Sequence, residues 1–245
     1  MTKFDVVFLD LDHTLVDTRL QYKLGLEHTI AELYDHQVPK NWILRFMENH
    51  QELWGQYDRR EITMAVLRRE RFLRAWRDFG VEKPIEEADK FQSVYDANFE
   101  TTLFPYPETK DLVADLARNY RLGIITNGSP DLQERKLAAV GLLSYFPKEL
   151  VTVSELIGMA KPHPSVYAAA CESAGVDPRD AVMMGDNYRA DVEGAEAFGM
   201  SALWYVPDID MAREAGIRDG KRPLTKRAEV LHALHRLESA RNESK

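Results

Sequence analysis

The chain has 245 residues, 44% of them hydrophobic, and a formal net charge of −8. That length supports one substantial core plus a smaller second unit. The acidic balance excludes a general nucleic-acid or anionic-membrane binder, whose affinity comes from phosphate neutralisation by Lys and Arg. It leaves room for a small phosphorylated metabolite at a local positive site. The single cysteine, Cys171, excludes a disulfide framework and a thiolate metal site. No apolar run is long enough to span a bilayer and no signal-peptide pattern opens the chain. A soluble cytoplasmic protein is expected, a monomer or homodimer with no nucleic-acid or membrane partner.

The first strand-like run, Asp5–Asp10, stops at two aspartates one residue apart, Asp10 and Asp12, followed by Thr14-Leu15. Carboxylates at alternating positions would face one side of a continuing strand. If the chain bends after Asp10, they can instead converge on one small volume. Two acids held that close require a cation or a shared proton, which points to a Mg²⁺ site or an acid/base pair.

From Asp17 to Phe104 no strand is expected, only helical periodicity. Leu20, Leu24, Ala31 and Tyr34 form one stripe; Trp42, Phe46, Leu53 and Tyr57 a second. Ile62, Val66, Leu73 and Trp76 give a third, and Ala88, Phe91, Tyr95 and Asn98 a fourth. Four amphipathic helices suffice for a small bundle. It leaves and re-enters the chain at the edge where Asp10 and Asp12 sit, so a bundle hinged there would make a lid. The expected division is residues 1–16 plus 105–245 as a core and 17–104 as the helical insertion.

Four further strand-like runs come later: Leu122–Thr126, Glu149–Val153, Ala181–Gly185 and Ser201–Val206. They are rich in Val, Ile, Leu and Met rather than alternating, as parallel strands covered on both faces should be. Helical segments at Pro107–Arg118, Asp131–Val140 and Ser165–Ala174 lie between them. The alternation predicts an α/β fold with a doubly wound parallel sheet. After Val206 a charged loop around Asp208-Ile209-Asp210 is expected. A last helix from near Thr225 would pack Ala228, Leu231, Leu234 and Leu237, with a frayed tail from Glu238.

Polar groups close one strand after another. Asp10 and Asp12 end the first, and Thr126-Asn127-Gly128-Ser129 the second. Lys161-Pro162 comes shortly after the third, and Gly185-Asp186, with Asp191 five residues on, closes the fourth. In open parallel sheets the ligand crevice lies outside the carboxyl ends of the strands, where these groups would meet. Thr126 offers a hydroxyl, and the N–H groups around Gly128 could form an anion nest. Asp186 adds a carboxylate to those of the first strand, enough oxygen donors for Mg²⁺.

These pieces resemble the four motifs of the haloacid dehalogenase superfamily: Phe8-Leu9-Asp10-Leu11-Asp12-His13-Thr14-Leu15, Ile125-Thr126-Asn127-Gly128, Lys161-Pro162, and Gly185-Asp186 with Asp191. His13 stands where the family commonly has a small residue. The resemblance covers residues 4 to 206 and implies a Rossmann-like core with a helical cap inserted after the first motif. The finer likeness, through Leu53-Trp54-Gly55-Gln56-Tyr57, Arg71-Phe72 and Leu132-Gln133, is to nucleoside 5′-monophosphatases. The resemblance implies that Asp10 is the nucleophile and Asp12 the acid/base. It places Mg²⁺ on Asp10, the Asp12 main-chain carbonyl and Asp186, with Thr126, Asn127, Gly128 and Lys161 on the substrate phosphate. Asp191 would orient Lys161 or a water. Specificity would come from the cap, where Trp54, Tyr57, Phe72 and Trp76 could stack a base and Arg59, Arg60, Arg68 or Arg69 touch polar groups.

Three alternatives share these residue types. A phosphoglycolate or sugar-phosphate phosphatase, or a phosphomutase, would use the same set. A receiver-like regulatory module also uses Mg²⁺ and a phosphorylated aspartate, but after its third strand, where this chain has none.

Overall fold

A computed structural model describes residues 3–243. Five short strands form one parallel sheet in the order β3-β2-β1-β4-β5. They are β1 (Val6–Leu9), β2 (Arg121–Thr126), β3 (Val151–Val153), β4 (Ala181–Gly185) and β5 (Ser201–Trp204). Every residue of β1 and β4 is buried, which is why these runs carry no polar alternation. Phe8 lies opposite Gly123 on β2 and Met183 on β4. A Cβ at Gly123 would stand 2.6 Å from the Phe8 ring and 2.9 Å from the Leu150 carbonyl oxygen. Only glycine fits there. Val6, Phe8, Ile125 and Met183 pack with Val166, Tyr167 and Ala170 of the helix Pro164–Ala174 in one apolar cluster.

Residues Arg19–Leu103 form a separate compact unit, and the described residues on either side form the other. The helical unit holds α1 (Thr18–Tyr34, whose first residue belongs to the sheet unit), α2 (Trp42–Asp58), α3 (Met64–Arg77) and α4 (Ile85–Ala97). Its core packs Leu26, Ile30, Trp42, Phe46, Phe72, Trp76, Phe91 and Tyr95 together. The stripe on α2 falls where the periodicity puts it, and on α4 Ala88, Phe91 and Tyr95 do while Asn98 lies just past the helix; the stripe on α3 holds at Leu73 and Trp76 only, and that on α1 is displaced. On α1 the buried positions are Gln21, Gly25, Leu26, Thr29 and Ile30 rather than Leu20 and Leu24. Gly25 is required because a Cβ there would meet the Tyr95 ring at 2.8 Å. On α3, Val66 is exposed and Ile62 precedes the helix, while Leu67, Arg71 and Phe72 are buried. The Arg71 guanidinium lies 5.1 Å from the Phe46 ring centre and 5.4 Å from that of Tyr95, and donates to Gln92 Oε1 at 2.7 Å. Rings facing a cation replace part of its lost hydration.

Two later segments correct the sequence-based expectation. The Asp208–Asp210 stretch is the start of a helix, Ile209–Ala215, because the Asp208 carboxylate caps it by accepting from the N–H groups of Asp210 and Met211 at 2.9 and 3.0 Å. The last helix, Arg227–Glu243, buries Val230 and Leu234 rather than Ala228. Glu238 is no frayed tail. It is buried and accepts from Tyr120 OH at 3.0 Å and from the Phe4 N–H at 3.3 Å. The remainder of that expected tail, residues 244–245, lies outside the described residues.

Candidate active site

β1 ends at Leu9, and the chain then bends. His13 takes a left-handed φ of 61°, a conformation unfavourable for a side chain with a Cβ, and Asp12 forms a bridge with Val16. The two aspartates therefore part company. Asp10 continues inward, 7% exposed, while the carboxylate of Asp12 turns to Lys136.

Around Asp10 the strand ends converge. Lys161 Nζ donates to Asp10 Oδ1 at 2.8 Å, to Asp191 Oδ1 at 2.6 Å and to the Ile125 carbonyl on β2 at 2.7 Å. Its backbone is held by the Asn127 amide, which accepts from Lys161 N at 2.8 Å and donates to Lys161 O at 3.1 Å. Thr14, fully buried, joins the ends of β1 and β4. Its hydroxyl accepts from the Asp186 N–H at 3.0 Å and has one proton to donate, to Asp186 Oδ1 at 3.2 Å or to Asp10 Oδ2 at 3.5 Å. The Trp204 indole on β5 donates to the Asp186 carbonyl at 2.8 Å. Asp191 sits in a π-helical turn, Tyr188–Glu193, and accepts from the Asn187 N–H at 2.9 Å. Such widened turns recur at functional sites. A Cβ at Gly185 would lie 2.2 Å from Asp191 Oδ2, so glycine there is what lets Asp191 reach the cluster.

Asp10, Asp186 and Asp191 each place a carboxylate oxygen within 4.8 Å of the others. Three carboxyls, those of Asp10 and Asp191 buried and that of Asp186 half-buried, face the ammonium of Lys161, and the electrostatics reflect that imbalance. Burial drives the Asp10 carboxyl up to about 7, against the pull of Lys161 and with help from Asp191 and Asp12. Burial, then the charges of Asp10 and Asp191, push Asp186 well above the usual carboxylate range. Lys161 moves the other way to its burial, because Asp10 and Asp191 raise it and keep it an ammonium. Hard oxygen donors with excess negative charge fit a divalent cation such as Mg²⁺. The side-chain trio contains Asp191 and not Asp12.

Asp12 has its own surroundings. Both of its oxygens accept from Lys136 Nζ, at 2.6 and 2.7 Å, and Thr18 Oγ1 donates to Oδ1 at 2.8 Å. Burial would raise this carboxyl, but the charge and hydrogen bonds of Lys136 outweigh it and hold it below the usual range. At the end of β2, the Thr126 hydroxyl accepts from the Gly128 N–H at 3.0 Å, tightening the turn. Gln133 Nε2 braces the same turn through the Ser129 carbonyl at 2.7 Å. Sequence reasoning assigned no role to Thr14, Thr18 or Lys136. The available signal was Gln133 and Lys136, three apart and on one helix face, both buried in a segment that reads as polar.

The cap residues considered for base stacking are mostly committed elsewhere. Tyr57, Phe72 and Trp76 are buried within the helical unit, and Trp54 is half-buried. Arg59 pairs with Glu61 and Arg69 with Asp89. A depression of about 280 Å³ lined by Tyr120, Arg121 and Leu122 opens at the start of β2 and contains none of the acidic cluster.

An acidic trio lies beside a buried lysine at the carboxyl ends of a parallel sheet, and sequence comparison identifies the class of protein that carries it. The chain belongs to the haloacid dehalogenase-like hydrolases, whose family model matches residues 4–199. It is 30% identical over 207 residues to glyceraldehyde 3-phosphate phosphatase of Pyrococcus abyssi, covering 82% of this chain and 80% of that one. It is 29% identical over 210 residues to the pyrimidine 5′-nucleotidase YjjG of Escherichia coli, covering 82% and 86%. Among solved structures, the magnesium-bound hydrolase YfnB of Bacillus subtilis superposes with a TM-score of 0.78 at 21% identity, covering 95% of this chain and 99% of that one, which speaks to the fold.

Proposed function

We propose that the chain is a Mg²⁺-dependent phosphatase that hydrolyses small phosphate monoesters through an aspartyl-phosphate on Asp10. The observation that carries this is the placement of Asp10, buried at the tip of the central strand, 2.8 Å from Lys161 and grouped with Asp186 and Asp191. A carboxylate nucleophile divides one difficult hydrolysis into two easier displacements. In the first, an Asp10 oxygen bonds to phosphorus as the ester oxygen leaves with a proton delivered by Asp12, whose resting carboxylate is ionised against Lys136 and takes that proton from solvent beforehand. In the second, water bonds to phosphorus, the Asp10–phosphorus link breaks, and Asp12 takes the water's proton. Lys161 and the turn Thr126-Asn127-Gly128 stabilise phosphate oxygens, where most of the work of phosphoryl transfer lies. Asp10, Asp186 and Asp191, with the Asp12 main-chain carbonyl, would hold the divalent ion. When bound, it supplies charge neutralisation between anionic nucleophile and anionic phosphate.

An acid at position 12 favours phosphate esters over haloacids, because an ester oxygen leaves with a proton and a halide does not. Nucleoside 5′-monophosphates are the first substrate class to test, on the likeness to YjjG. Three-carbon sugar phosphates come second, on the comparable likeness to the archaeal phosphatase. A Mg²⁺-dependent phosphate-release screen over nucleoside monophosphates, sugar phosphates and phosphoglycolate tests both. Asp10→Asn is expected to abolish turnover. Activity surviving that change would refute the covalent route, and a single stoichiometric phosphorylation by acetyl phosphate without turnover would support the receiver alternative.

A further inference from the structure

We propose that Lys136 is a positioning residue that fixes the Asp12 carboxylate for the second displacement; this rests on the phosphatase assignment above. Lys136 lies on the short helix Gln133–Ala139 and is 6% exposed. An ammonium is buried at a cost unless it is well paired. Its side-chain bonds, at 2.6 and 2.7 Å, both go to Asp12 and grip both carboxylate oxygens. Thr18 Oγ1 adds a third donor on Oδ1 at 2.8 Å. A carboxylate held by three donors has one orientation. The helix is itself tied to the turn after β2, because Gln133, one turn before Lys136, donates to the Ser129 carbonyl at 2.7 Å. Lys136 thus fixes Asp12 relative to the turn proposed to hold the phosphate.

Lys136 transfers no proton in this scheme. Its effect is confined to steps that need Asp12 in place, and the leaving group separates those steps. p-Nitrophenolate departs without a proton donor, so aryl phosphate exposes only the second step, in which Asp12 must meet the attacking water. Loss of Lys136 leaves formation of the aspartyl-phosphate intact and slows its hydrolysis.

The test is rapid mixing of the full chain, with Mg²⁺, against p-nitrophenyl phosphate. Lys136→Met is expected to release p-nitrophenolate in a burst of one per chain, at a rate within about threefold of wild type. Its steady turnover then falls about 10- to 100-fold, part of the ~10²–10⁴ that a positioned acid/base supplies. Lys136→Arg recovers most of the loss. Thr18→Val, which removes one donor and leaves the buried cation paired, gives the same pattern at smaller amplitude and decides the matter if Lys136→Met does not fold. Burst and steady rates falling together, or steady turnover unchanged, would overturn the proposal. A wild-type chain that never releases p-nitrophenolate would instead remove the phosphatase assignment, and this inference with it, before any variant is compared.

Discussion

Asp10→Asn has a consequence for stability that can be read separately from activity. In the metal-free protein, burial lifts the Asp10 carboxyl from its ordinary 3.8 to about 7. The folded state therefore binds a proton that the unfolded chain has released. For a group raised on folding, the contribution is fully present below the unfolded value and disappears as pH climbs through the folded one. The window runs from about pH 4 to about pH 7, and the full displacement corresponds to at most about 4 kcal/mol. Asparagine has no such titration. Urea denaturation of wild type and Asp10→Asn, in chelator, at a series of pH values across this window, gives two curves whose difference isolates Asp10. The variant should gain on wild type steadily as pH rises. Excess Mg²⁺ should flatten the difference, since the ion holds the carboxylate ionised in the folded state. A difference that is flat in chelator, or one that runs the other way, would refute the idea that the site is an anion cluster awaiting a cation.

The same geometry sets three further outcomes. Lys161→Met leaves Asp10, Asp186 and Asp191 facing one another and should cost about 3–5 kcal/mol in chelator, with part of the loss recovered by Mg²⁺; equal loss with and without the ion would argue against a shared site. Gly185→Ala drives a methyl into Asp191, 2.2 Å from Oδ2. It should lower stability by about 1–3 kcal/mol and weaken Mg²⁺ binding measured by calorimetry, and unchanged affinity would show that Asp191 does not help hold the ion. Asp12→Asn should lower turnover ~10²–10⁴-fold while Asp10 still becomes phosphorylated by p-nitrophenyl phosphate, as acid-quenched mass spectrometry would reveal. A variant that never carries phosphate would place Asp12 in the first step even for a good leaving group.

The sheet was legible because each strand is a short apolar run that stops at a polar residue. Asp10, Thr126 and Asp186 fall at the strand ends for the same reason. The parting of Asp10 from Asp12 was open in the sequence and is settled by the left-handed turn at His13, which no periodicity reaches. Lys136 escaped because its partner lies 124 positions away, and a lone lysine in a polar helix looks solvated. Arg71 broke the α3 stripe in the same way: a charge at a buried position is visible only once the rings around it are placed. The Asp208 helix was missed because an N-cap and a turn former are the same residue type, and only the conformation of the next few residues tells them apart. In the helical unit, α1 misled because its buried face carries Gly25 and Thr29, which pack against neighbours without looking apolar.

The pairing of β1 has a consequence for how the molecule is made. Val6 lies opposite Arg121 on one side and Ala181 on the other, so β1, made before the other four strands, is among the last of them to find its neighbours. Asp10 is synthesised well before Lys161, Asp186 and Asp191, and its cluster is complete only once β4 and the turn after it have been made; such distant pairings form slowly. A nascent chain would carry Asp10 without its full cluster until β4 and the turn after it are made, and a truncation before β4 would leave that aspartate without Asp186 and Asp191 beside it.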